Sequence, residues 1–249
     1  MMPYPESFTA SLTSKIGSKN LEMVQFKAIA DSADTKVLGD LKSVFRSCFP
    51  EYEFFLNDID ENFVEPQRRG NLIVHQVVAY ADDEPAGVLI LHTNIARSVT
   101  LIHFLGVIPS LRGPIPGERS IARRLVAEAV RLLEADAKTH GISIIHGLIA
   151  DAIPVALDSW IRLGFTPVCI EFAEPEHGRE WAKYGGPRLH KLSLVALLST
   201  APTSSPDQVM RAGAGAYLID HHQLPLDNPK VLELLGEDLD SRFENQIAP

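Results

Sequence analysis

The residues best suited to chemistry in this 249-residue chain gather at a Gly/Pro/Arg-rich turn. Pro109, Gly113, Pro114, Pro116 and Gly117 stop any regular element from running through it. Arg112, Arg119, Arg123 and Arg124 bring positive charge to it, on a chain whose formal net charge is -9. An apolar run enters the turn and an amphipathic segment leaves it. The first N–H groups of a helix have no intrahelical acceptor, and the macrodipole adds positive potential there. A phosphate-bearing ligand is what such a turn would hold. The same pattern is also an ordinary strand-to-helix joint with a solvated basic face. His103, inside the apolar run, is either a base able to work near neutral pH or a core histidine bonded to a neighbour. Glu51 and Glu53 place carboxylates on either side of Tyr52, and the segment also reads as a wet helix face. Trp181, Tyr184, Gly185 and Gly186 lie in a long connection, and read either as a cover over a ligand or as a plain link between strands.

These residues need elements to position them. Val99 to Ile108 is apolar apart from Thr100 and His103, which suits a strand covered on both faces. The helix after the turn begins between Gly117 and Ser120 and ends at Gly141. Ile121, Leu125, Ala129 and Leu132 share one stripe, and Arg123, Arg124, Glu128, Arg131 and Glu134 are expected on the wet face. Earlier in the chain, Met23–Ala30 reads as a strand, Asp34–Phe49 as a helix stopped by Pro50, and residues 51–64 as a short second helix. Asn71–Tyr80 and Ala86–Thr93 are strands joined through Asp82-Asp83-Glu84-Pro85 as a hairpin. Later come a strand at Ile142–Ala150, a helix at Asp151–Leu163, a strand at Thr166–Phe172, a loop from Ala173 to Arg188 and a strand at Leu189–Leu198. Thr200–Asp207 reads as a hinge, followed by a tail with one short helix at Pro229–Leu235. The order is β-α-α-β-β-β-α-β-α-β-β, and it predicts an α/β fold with a mixed central sheet flanked by helices. The expected domains are a mobile arm over 1–21, a main domain over 22–199 and an extension over 200–249, which packs on the fold or on a second copy.

Composition narrows the classes. With 45% hydrophobic residues the chain can build a core without disulfides or metal. Cys48 and Cys169 have no metal-ligand spacing and read as reduced thiols. The acidic balance argues against nucleic acid as a partner. No apolar run approaches the roughly 20 residues of a membrane span, and the N-terminal residues lack a leader pattern, so the expectation is a cytoplasmic protein.

Two segments resemble the GNAT superfamily, the acyl-CoA-dependent N-acetyltransferases. Val107-Ile-Pro109-Ser-Leu-Arg112-Gly113 is similar to the family's V-x-P-x-x-R-G. Trp160-Ile-Arg-Leu163-Gly164-Phe165 is similar to its L-Y-x-x-x-G-F. The resemblance covers residues 22 to 198. It implies a partly splayed sheet, with acetyl-CoA or another acyl-CoA as co-substrate between the strands at 99–108 and 142–150. By the same resemblance Leu105 and Val107 would hold the pantetheine. Arg112, Gly113, Gly117, Arg119, Ser120, Ile121 and Ala122 would surround the phosphates. His103 would be the base, and Glu51, Tyr52, Glu53, Trp181 and Tyr184 would face a small-molecule amine that attacks the thioester directly. Neither a metal nor a membrane is implied; a homodimer is compatible with it.

The sequence departs from the family in three places. GPIPG opens the compact phosphate turn after Arg112. Trp160 stands where a tyrosine often serves as the acid, and an indole cannot do so. The asparagine common near the start of the following helix maps near Ile153. These departures support an alternative, a degenerate acyl-CoA-binding or interaction module. A third motif, Asp220-His221-His222, resembles the DHH phosphoesterases, with Asp58 and Asp60 as its partner segment; the upstream elements fit an acyltransferase sheet better.

Overall fold

The computed structural model describes residues 24–29, 34–64, 71–113, 120–198 and 204–236. Its strands are β1 (Val24–Ala28), β2 (Leu72–Ala81), β3 (Glu84–Asn94), β4 (Val99–Val107), β5 (Gly147–Ala152), β6 (Thr166–Pro175) and β7 (Leu189–Leu198). They form an open, mixed sheet in the order β1-β2-β3-β4-β5-β7-β6, flanked by helices. The helices are α1 (Thr35–Cys48), α2 (Leu56–Val64), α3 (Ile121–His140), α4 (Leu157–Arg162), α5 (Pro206–Gly215) and α6 (Pro229–Leu235). The chain divides into two compact units, residues 1–93 with 102–139, and residues 94–101 with 140–249.

In the first unit β1 and β2 pair antiparallel, with Val24 opposite Ala81. The β2–β3 turn is tighter than the four-residue connector expected. Asp82 and Asp83 alone make it, at φ 52° and 66°. A two-residue turn with both central residues left-handed matches the twist of a hairpin, so Glu84 and Pro85 fall in β3. Helix α1 buries Leu41, Val44 and Phe45 beside Phe55, Ile59, Val78, Tyr80, Val88 and Ile90. Phe104 of β4 meets Phe45, Phe49 and Phe55 within this core. Gly106 allows α1 its approach, because a Cβ there would sit 2.8 Å from Cys48 Cβ and from a Phe49 ring carbon.

Helix α3 buries the expected stripe of Ile121, Leu125, Ala129 and Leu132. One arginine departs from the expected wet face: Arg124 is buried, 3% exposed. The stripe is wider than the apolar letters show, and the aliphatic stem of an arginine can fill its edge. Asp136 of the same helix is buried too. It accepts hydrogen bonds from Thr93 at 2.5 Å and pairs with His75 at 2.8 Å, tying α3 to β2 and β3.

In the second unit β5 begins at Gly147, five residues later than the strand expected from Ile142. Its register against β7 gives the reason: Gly147 pairs with Leu198, the last residue of β7. Residues 142–146 therefore lie beyond the end of that partner. β6 runs on to Pro175, opposite Leu189, past its expected end at Phe172. Two register irregularities, around Pro167 and Ile170, let its side chains change face.

The tail holds more regular structure than the single helix expected. Ser205 caps α5 with a capping box: its hydroxyl accepts from Gln208 N–H and the Gln208 side chain accepts from Ser205 N–H. A wider π-helical turn, Ala216–His221, continues α5. Val209, Ala212, Tyr217, Leu218, Leu224, Val231 and Leu235 share one core with Phe172, Leu192, Leu194 and Ala196. Residues 199–203, which include the first half of the expected hinge, lie outside the described residues, as does the expected arm over 1–21; the second half of that hinge instead supplies the cap and first turn of α5.

Candidate active site

The strand–turn–helix joint lies in the first unit. Leu105 and Val107 occupy the last turn-side residues of β4, and Pro109–Leu111 form a short 3-10 turn. Arg112 folds back over the strand end. Its Nε donates to the Val107 carbonyl at 2.8 Å, and its guanidinium hydrogen-bonds the Cys48 thiol. Burial pushes the Cys48 thiol up and Arg112 opposes the shift, so the cysteine stays a thiol and not a nucleophile. Gly113 has φ 121°, a conformation open to glycine.

Ser120 precedes α3. Its hydroxyl accepts from the Arg123 N–H at 3.4 Å, and its carbonyl from the Arg124 N–H at 3.2 Å. Helical geometry then leaves the N–H groups of Ile121 and Ala122 without an intrahelical acceptor. Ile121 is buried while Ala122 is half-buried. The backbone of this turn can therefore donate to an anion while Ile121 fixes the helix in the core. Gly117 and Arg119 lie outside the described residues.

His103 stands on β4, half-buried, with its ring 4.2 Å from that of His92 on β3. Sequence reading singled out His103 and missed His92, whose place in an apolar strand gave no signal. Glu51 and Glu53 are exposed on a 3-10 turn, Pro50–Phe55. Arg46 approaches Glu53 at 3.9 Å. Tyr52 packs edge-on against Phe104, with centroids 5.6 Å apart.

Trp181 and Tyr184 belong to the second unit, on a 3-10 turn, Gly178–Tyr184. The Trp181 indole N–H donates to the His222 carbonyl at 2.8 Å. Tyr184 is exposed and stacks on His177 at 3.8 Å. The Trp160 ring of α4 packs edge-on against Phe165, 4.8 Å between centroids.

Asp220 and His222 of the Asp220-His221-His222 motif make contacts inside the second unit. Asp220 accepts from Arg97 and, at 2.7 Å, from Asn94. His222 bonds Glu174 at 3.2 Å. In the first unit Asp60 accepts from Lys42 at 2.7 Å. A buried cluster that sequence reading missed surrounds His222. Tyr217 donates to Asp151 at 3.0 Å, and Asp151 and Glu174 hydrogen-bond each other. Burial pushes Glu174 up to about 7 and Asp151 well above the carboxylate range, and pushes His222 down to about 4. These residues are far apart in sequence, on β5, β6 and the tail, so no local spacing announced them.

No family model and no curated protein sequence matches the chain. Solved structures do. A protein of Desulfovibrio desulfuricans assigned to the GNAT acetyltransferases is 17% identical, covering 70% of this chain and 98% of its own, with a TM-score of 0.47. A tandem GNAT protein from the clavulanic acid biosynthesis pathway is 15% identical, covering 60% of this chain, with a TM-score of 0.47; this chain spans 46% of its length. An aminoglycoside N-acetyltransferase in complex with CoA is 16% identical, covering 60% of this chain and 92% of its own, with a TM-score of 0.43. Among the described residues no helix is long and apolar enough to cross a membrane.

Proposed function

We propose that the chain is a divergent GNAT-type N-acyltransferase of the cytoplasm, moving an acetyl or other acyl group from acyl-CoA to a primary amine of a small molecule. The observation that carries the reading is the joint itself. β4 ends in V-I-P, Arg112 folds onto the Val107 carbonyl, and Ser120 caps a helix whose first N–H groups face outward along its axis. The donor set suits a pyrophosphate, since backbone N–H groups at a helix start and arginine side chains both donate to phosphate oxygens.

In this reading Leu105 and Val107 hold the pantetheine. Arg112, Gly113, Gly117, Arg119, Ser120, Ile121 and Ala122 receive the phosphates. His103 takes the proton that the amine loses as its nitrogen bonds to the acyl carbon. The C–S bond then breaks, and the departing thiolate takes a proton from solvent, because the Trp160 indole N–H donates a hydrogen bond but is no acid. Glu51, Tyr52 and Glu53 hold the cationic acceptor. The competing reading is a binding module without turnover, favoured by Trp160 packed against Phe165.

Calorimetry with acetyl-CoA and free CoA tests the site, followed by a screen of amines for thiol release. Saturable binding that weakens about tenfold or more in Arg112→Ala/Arg119→Ala supports the site. Binding without release for any amine supports the module. Absence of binding to either ligand refutes both.

A further inference from the structure

We propose that Asp151, Glu174 and His222 form a proton-held clasp, which seats the Ala216–His222 segment and the Gly178–Tyr184 turn on the second unit and releases both when the clasp loses its proton. The geometry is convergent. Glu174 sits near the end of β6, directly before the turn. Its carboxyl meets His222 Nε2 at 3.2 Å and Asp151 of β5. The His222 carbonyl takes the Trp181 indole N–H from the turn at 2.8 Å. Tyr217, one turn earlier in the tail, donates to Asp151 at 3.0 Å. One residue, His222, thus holds strand, turn and tail together, and all three depend on the carboxyl pair beneath.

Two carboxylates in a dry site cannot both stay ionised at modest cost. Asp151 keeps the proton and donates it to Glu174, while the Tyr217 hydroxyl occupies the other side of Asp151. The other groups facing the cluster are Arg179 on the turn and His190 of β7, with Nε2 3.9 Å from Glu174. Glu176 acts on His190 from the end of β6, and His221 packs its ring 4.7 Å from that of His222. Burial, aided by His222, holds His190 below its usual range against the opposing Glu176 carboxylate, so it is neutral at pH 7 and supplies no cation to the pair.

The direction of the pH effect follows. Glu174 titrates near 7 in the fold against an ordinary value of 4.5. Its contribution to stability is therefore full below about 4.5 and is lost as pH rises through 7. Asp151, raised by burial and by the Glu174 charge, has the same sign. His222, lowered by burial to about 4 from 6.5, has the opposite sign: its contribution is full above 6.5 and is lost as pH falls through 4. Between 4.5 and 6.5 the Glu174 and His222 slopes oppose each other. Above 6.5 the carboxyls act alone, and the clasp weakens toward alkaline pH.

Hydrogen–deuterium exchange on the full chain reads this directly. After correction for intrinsic rates, protection of residues 178–184 and 216–222 should fall about tenfold between pH 6.5 and 9, which corresponds to about one unit of proton linkage. In Asp151→Asn/Glu174→Gln it should stay level. Protection independent of pH in the wild type, or an equal fall in the variant, overturns the clasp. Infrared spectroscopy of the wild type serves if the variant does not fold. A protonated-carboxyl band present near neutral pH and bleached together with the loss of protection supports the proposal, and its absence refutes it.

Discussion

At the scale of single residues, the turn and the strand before it divide into side chains that hold the fold and side chains free to act. Arg112 does both, since its Nε is bound to the Val107 carbonyl while other guanidinium atoms remain for an anion. Under the proposed function His103 is the base. His103→Ala should lower kcat about 100-fold or more with acetyl-CoA affinity kept, measured by thiol release and calorimetry on protein whose circular dichroism is unchanged. Loss of folding in that variant would make His103 a core residue instead. Gly106 offers a purely steric counterpart. Gly106→Ala should cost about 1–3 kcal/mol in a denaturant titration, because its methyl would lie 2.8 Å from Cys48 Cβ and from a Phe49 ring carbon. At this scale the sequence was informative where a residue type has few uses, as with the V-x-P-x-x-R-G segment. It was silent on Asp151, Glu174 and Tyr217, whose meaning depends on partners far along the chain.

At the scale of elements, periodicity carried most of the reading. The order of strands and helices up to Leu198 follows from apolar runs, proline stops and the glycine after α3. The misplacements have local causes. β5 starts late, at Gly147, opposite Leu198, the last described residue of β7. The hairpin is shorter than its polar letters because two aspartates tolerate left-handed backbone. The tail helix α5 was legible in S-P-D-Q, which combines a cap, a proline at the first position and a glutamine at the third, but its Ala/Gly-rich body lacks the large apolar residues by which a stripe is recognised. Removing that cap with Ser205→Ala should lower stability by about 1 kcal/mol and increase exchange at the start of α5.

At the scale of the whole molecule, the tail is part of the second unit's core rather than an appendage to it. Phe172, Leu192, Leu194 and Ala196 are buried beneath Tyr217, Leu218 and Leu224. A chain ending before Ser204 should therefore expose an apolar sheet face, bind a hydrophobic dye and lose its cooperative thermal transition; a sharp transition near that of the full chain would show that the tail is dispensable. The acidic net charge and the local arginines belong to this scale as well: under the proposed function they would draw an anionic ligand to that turn. The central claim is that this turn binds acyl-CoA, and isothermal titration of the full chain with acetyl-CoA tests it most directly. The account predicts saturable micromolar binding, about -8 kcal/mol at 1 μM, weakened about tenfold or more by Arg112→Ala/Arg119→Ala. No heat of binding with acetyl-CoA or free CoA, from protein with an intact thermal transition, would contradict it.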